Sequence, residues 1–137
     1  MYKNTLVVNF FGGPCAGKST MSGALFAEMK WKGYDTEYVQ EYAKDKVWEK
    51  SLHTLDNQIY VFGKQNFRMF RVNKKVEIII TDSSIINSVI YYQGDSSHFL
   101  NLVVEEFKSM NTLNIFLDRD GHYNDHLYKK LLKLIIR

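Results

Sequence analysis

Short apolar runs alternate with longer amphipathic stretches along this chain. "TLVVNFF", residues 5–11, is a continuous β-branched and aromatic run, the pattern of a strand buried on both faces. Residues 18–31 read as a helix, with Met21, Leu25 and Met29 at i, i+4 and i+8. Lys30 and Lys32 suit the end of that helix, and Gly33 suits its C′ position. "DTEYV", residues 35–39, predicts a second short strand. Residues 54–72 predict a long helical stretch with Thr54 as its N-cap. "VEIIIT", residues 76–81, predicts another buried strand. Residues 84–92 and 99–110 read as helices broken by "QGDSS", "TLNIFL" at 112–117 as a strand, and 126–136 as an amphipathic helix. Strands that alternate with helices predict an α/β fold with a mostly parallel sheet.

A chain of 137 residues fits one domain, spanning 1–137. The net charge of +3 suits an anionic substrate or a polyanionic partner. Most of the basic residues are Lys; the arginines are Arg68, Arg71, Arg119 and Arg137, so their positions carry information. The single cysteine, Cys15, excludes an internal disulfide and reads as a small loop residue. The start of the chain has no signal-peptide pattern, and no apolar run reaches membrane-spanning length. The expected compartment is the cytoplasm.

One motif redirects the reading from fold to chemistry. "GGPCAGKST" comprises Gly12, Gly13, Pro14, Cys15, Ala16, Gly17, Lys18, Ser19 and Thr20, with the spacing G-x-x-x-x-G-K-S. It follows a predicted strand and opens a predicted helix, which is the context a phosphate-binding loop needs. The glycines let backbone N–H groups curl around phosphate, and the helix N-terminus favours the anion. Lys18 can reach the β- and γ-phosphates, and the Ser19 hydroxyl can ligate Mg2+. Asp82 ends the strand of "EIIITDSS", where a carboxylate can hold Mg2+ beside Ser19; it can also cap the helix that follows. The expected cofactors are ATP and Mg2+.

The acceptor side offers three groups. Glu41 in "VQEYAK" follows the second strand, so it faces the cleft beyond the strand ends and can take a proton from an attacking hydroxyl; the bland alternative is a solvated Glu at a helix start. Gln58, Gln65 and Arg68 share one face of a helix whose apolar stripe is Leu55, Ile59 and Phe62. Two amides and a guanidinium on one side can read a base or sugar and grip a phosphate, or form a polar solvent face. Arg119 in "FLDRDGHYND" sits where a lid brings an arginine to the transferring phosphoryl group. No NKxD-type guanine reader is present, and length argues against large motors and AAA-type machines with additional subdomains. His122 and His126 lack a third ligand for a metal. The lysines at 44, 46, 50, 129, 130 and 133 read as solvated faces, without the aromatic–basic interleaving of a nucleic-acid module. Trp31 and Trp48 read as core or rim.

"FFGGPCAGKST", "VQEYAK", "QIYVFGKQNFRMF" and "IIITDSS", in this order, resemble small P-loop kinase-like proteins of tailed phages. These are similar to the nicotinamide riboside kinase and deoxynucleoside kinase branches of the nucleoside/nucleotide kinase superfamily. The resemblance runs from about residue 4 to 118. It implies a three-layer P-loop NTPase sandwich with a mostly parallel four- to five-stranded sheet in nucleotide-kinase order. It further implies ATP with Mg2+, a nucleoside or nucleotide acceptor, a homo-oligomer as one option, and a phage host's cytoplasm. The pattern departs at "DRDGHYNDHLYKK", which keeps Arg119 and Tyr123 but lacks the usual Gly-Arg of the lid, and at the chain end, where a helix replaces a final strand. The expected function is an ATP-dependent phosphotransferase acting on a nucleoside or nucleotide. The alternative is a weakly catalytic nucleotide-binding protein or ATPase that works through a partner or nucleic acid.

Overall fold

The computed structural model describes residues 2–13 and 16–117. Four strands, β1 (Leu6–Phe11), β2 (Thr36–Val39), β3 (Ile78–Thr81) and β4 (Asn111–Phe116), pair in the order β2-β3-β1-β4, every pair parallel. Parallel pairing requires each connection to cross over a sheet face, and helices make those crossings. They are α1 (Lys18–Trp31), α2 (Tyr42–Trp48), α3 (Gln58–Phe70), α4 (Asn87–Tyr91) and α5 (Ser97–Lys108), with a 3₁₀ turn at Leu52–Asp56 before α3.

Side chains alternate across β1 and sort the core into two layers. Val7 and Phe11 join Phe62, Met69, Val89, Val103 and Phe107 on the face covered by α3, α4 and α5. Val8 and Phe10 join Leu25, Phe26 and Met29 on the face covered by α1. The sheet is therefore the middle of three layers, as expected of a P-loop sandwich. Asn9 is buried within β1 and donates to Asn114 Oδ1 at 3.0 Å, directly across the β1–β4 register. A one-residue slip would break this bond and leave the buried Asn9 amide without its cross-strand partner, so the pair favours the register.

Several local expectations shift. The helix expected over 54–72 divides, because residues 52–56 close a 3₁₀ turn and Asn57, not Thr54, accepts from Tyr60 N at 3.2 Å as the cap of α3. The buried face of α3 also differs from the expected stripe. Ile59 is exposed, while Gln58, Val61, Phe62, Gln65 and Met69 are buried. Met21 is likewise exposed although Leu25 and Met29 pack on the sheet. Trp31 is almost fully exposed rather than core, and Trp48 sits on a rim. The helix expected from 84 begins only at Asn87, and α2 is an additional short helix after β2. Gly33 meets expectation: with φ 90° it follows α1, and Tyr34 N closes back on Met29 O at 3.0 Å. The helix expected over 126–136, together with Arg119, His122 and His126, lies outside the described residues.

Candidate functional site

The carboxyl ends of β1, β2 and β3 converge on one cleft of about 560 Å³. β1 runs into the glycine loop, where Gly12 is held by close approach. A Cβ there would lie 3.0 Å from Leu117 O and 3.1 Å from Ala16 Cβ, so its neighbours would have to give way by a few tenths of an ångström. Ala16 N donates to Gly13 O at 3.2 Å, which turns the loop. Gly17 then takes φ 93°, a left-handed conformation that favours glycine, as the residue before α1. No side chain caps α1, and its first turn carries no acidic residue. Its leading N–H groups and positive dipole end thus remain free for an anion. Pro14 and Cys15 lie outside the described residues.

The sequence places Ser19 and Asp82 63 positions apart; the fold joins them. Ser19 Oγ donates to Asp82 Oδ2 at 2.8 Å. Asp82 is 7% exposed, and among the described residues its Oδ1 has no hydrogen-bond partner. A buried carboxylate oxygen without a donor is costly unless something satisfies it. A hydroxyl and a carboxylate, hard oxygen donors beside a phosphate cradle, fit a magnesium ion that completes its shell with phosphate and water. Asp82 also stands five residues before α4, too far to cap it.

Glu41, at the end of the β2 segment, is half-buried and caps no helix N–H with its side chain. It borders the same cleft as Lys18 and Asp82. Burial pushes its carboxyl above the ordinary glutamate range; Lys18 opposes this, Asp82 adds to it, and Lys44 opposes it again. Gln58 and Gln65 face the cleft, in line with the shared face read from the sequence. Their amides are, however, already engaged. Gln58 Nε2 donates to Leu55 O at 2.7 Å. Gln65 Oε1 accepts from Tyr42 N at 2.8 Å, and its Nε2 donates to Gln40 O at 3.1 Å.

Arg68 is brought to the same corner but not into the cleft. Its guanidinium donates to Gln40 O at 3.2 Å, pairs with Asp45 and lies over the Tyr42 ring. Gln65 and Arg68 therefore hold the Gln40–Tyr42 backbone that carries Glu41. The same cleft is also lined by Trp48, Leu55, Ser84, Asn87, Ser88 and Tyr91.

Tyr38 is a residue that motif reading missed. Its hydroxyl lies 2.9 Å from Ser22 Oγ, and Ser22 in turn donates to Lys18 O at 2.6 Å. Burial raises the Tyr38 pKa, Ser22 opposes that, and Asp82 adds to it. The tyrosine thus links β2 to the first turn of α1, next to the Ser19–Asp82 pair. Its place in a short strand was legible; its partner 16 residues away was not.

A family described as "AAA domain" matches residues 7–130. Length had set the larger AAA-type machines aside, yet the description covers this chain. No curated protein matches the sequence. Among solved structures, the thymidylate kinase of Ehrlichia chaffeensis has a TM-score of 0.63 at 13% identity, over 97% of this chain and 81% of that one. The APS kinase of Mycobacterium tuberculosis has a TM-score of 0.54 at 10% identity, over 98% of this chain and 99% of that one. These are likenesses of fold. They agree with the all-parallel sheet in giving the chain a P-loop NTPase fold.

Proposed function

The chain belongs to the AAA domain family, and from that premise we propose that it is an ATP-dependent phosphotransferase whose acceptor is a nucleoside or nucleotide, with a nucleoside hydroxyl the better fit. One observation carries this reading: Lys18 and Asp82 border the same cleft as Glu41, Gln58 and Asn87. A nucleotide phosphate tail and a small acceptor would meet there. Backbone N–H groups of residues 12, 13 and 16–20 would cradle the phosphates, Pro14 and Cys15 of the same motif lying outside the described residues, and Lys18 would add a charge-assisted contact. Ser19 and Asp82 would hold Mg2+, which when bound neutralises charge on the β- and γ-phosphates.

The acceptor's hydroxyl oxygen forms a bond to the γ-phosphorus as the bond from that phosphorus to the β–γ bridging oxygen breaks. ADP leaves, and the hydroxyl proton passes to Glu41. A carboxylate raised by burial is a stronger base than one in water, which suits this role. A monophosphate acceptor would need further cations against phosphate–phosphate repulsion. Among the described residues Lys18 and Lys44 are the cations that border the cleft, and Arg68 is engaged elsewhere. Arg119 in the lid segment would add positive charge during transfer. The test is coupled ATP consumption with Mg2+, nucleosides against nucleoside monophosphates. Turnover with a nucleoside and not with its monophosphate supports the reading; ATP binding without turnover on either favours a nucleotide-binding protein that acts through a partner.

A further inference from the structure

The face of α3 turned away from the cleft is aromatic and cationic. Tyr60, Lys64, Phe67, Arg71 and Lys74 recur at alternating spacings of four and three, which makes one row along a helix and the turn that extends it. All five are exposed. Phe70 joins Phe67, their rings stacked at 6.2 Å with planes 23° apart, and the two side chains are 59% and 73% exposed. Lys64 Nζ lies 5.4 Å over the Tyr60 ring. No acidic residue occurs from 57 to 76. Among the described residues Lys64, Arg71, Lys74 and Lys75 enter no ion pair. The linear sequence hides this interleaving; helical periodicity creates it.

Large rings left in water beside unpaired cations point to a partner that satisfies both. A second copy packed face to face would bring cation against cation. An acidic peptide would neutralise the cations but need not offer flat surfaces to the rings. Duplex DNA keeps its bases stacked internally. A single strand offers phosphates to the cations and base faces to the rings. Within α3 the row from Tyr60 to Phe70 spans about 15 Å at 1.5 Å per residue, or about four nucleotides at the stacked spacing of 3.4 Å, and Arg71 and Lys74 lie in the turn that follows.

We infer that the outer face of α3 binds single-stranded nucleic acid, with Tyr60, Phe67 and Phe70 stacking bases and Lys64, Arg71 and Lys74 contacting phosphates. This goes beyond the nucleotide site and does not depend on it. The test is fluorescence anisotropy of the full chain with a labelled 20-mer of oligo(dT) and with a duplex of equal length, across salt concentrations. Binding should favour the single strand and fall with salt, with a log–log slope of about −2 for three phosphate contacts. Arg71→Ala with Lys74→Ala should reduce that slope by about 1.4. Phe67→Ala with Phe70→Ala should weaken binding by about tenfold or more, while Mg-ATP affinity is unchanged. Phe70→Ala alone removes the more exposed ring and gives a second, milder variant should the double one fold poorly. Lys18→Ala should bind the oligonucleotide as the wild type does, so failure of the nucleotide site and failure of this surface read out separately. No binding at about 50 mM salt, equal affinity for the duplex, indifference to the ring substitutions, or tighter binding to poly-glutamate would each overturn the inference. A dimer in sedimentation that Phe67→Ala dissociates would assign the face to a second copy instead.

Discussion

Replacing Asp82 with Asn removes one charge and almost no volume, so it separates a metal-holding role from a structural one. In the ligand-free fold Asp82 is 7% exposed, accepts one hydrogen bond from Ser19, and leaves Oδ1 unpartnered among the described residues. An unsatisfied buried polar atom costs about 1–3 kcal/mol, more when charged. The amide relieves the charge but weakens the bond from Ser19, which was charge-assisted. The two effects oppose each other, so the ligand-free melting temperature should stay level or rise by a few degrees. With Mg-ATP the sign reverses. Two unit charges about 4 Å apart interact by about 4 kcal/mol at an effective dielectric near 20. After partial compensation by water, loss of the carboxylate should cost about 2–4 kcal/mol, or about 30- to 1,000-fold in Mg-ATP affinity. Calorimetric titrations with Mg-ATP and with ATP plus EDTA, alongside scanning calorimetry without ligand, measure both sides. The wild type and Asp82→Asn should differ with magnesium and converge without it. A destabilised variant with unchanged Mg-ATP affinity would refute the reasoning and make Asp82 a structural residue.

Lys18→Ala should lose a few kcal/mol of nucleotide binding or transition-state stabilisation with little change in melting temperature; equal ATP affinity by calorimetry would remove the cradle reading. For Glu41→Gln the rate should fall by about two to four orders of magnitude. The wild-type rate should rise with pH as Glu41 loses its proton, with a midpoint above the ordinary glutamate range, and the variant should lack that limb. Stability carries the same sign: the folded pKa is raised, so wild type and Glu41→Gln should match below the unfolded glutamate pKa. The wild type should lose ground as pH rises through the folded value, which urea titration at several pH values would read. Arg68→Ala removes the Asp45 pair and the bond to Gln40 O, both part-exposed, and should cost about 1 kcal/mol of stability. Its kcat should fall as the Glu41 backbone loosens; a change confined to the acceptor KM would return Arg68 to phosphate gripping. Tyr38→Phe should cost about 1 kcal/mol in stability through the lost Ser22 contact, and an unchanged melting curve would dismiss that link.

Much of the architecture was legible because it rests on local rules. Buried parallel strands are continuous apolar runs, and "TLVVNFF" and "VEIIIT" could be little else. Gly17 and Gly33 mark the two ends of α1 at the boundaries read from sequence, because left-handed backbone there favours glycine. The approach of Ser19 to a distant Asp82 was also readable, since the motif predicts that a carboxylate after a buried strand lies beside the loop's hydroxyl. What the chain alone did not determine was which face of a helix turns inward. Leu55, Ile59 and Phe62 looked like the stripe of α3, but Leu55 falls in the 3₁₀ turn at Leu52–Asp56, Ile59 is exposed, and the protein buries Gln58 and Gln65 alongside Phe62. Those amides are tolerated inside because nearby backbone groups satisfy them, a condition set by chain segments up to 25 residues away. The same packing turned Arg68 toward Asp45 and left Phe67 and Phe70 in solvent. Periodicity tells which side chains share a face; only the competition among all elements for the core decides which face is buried and which meets a partner.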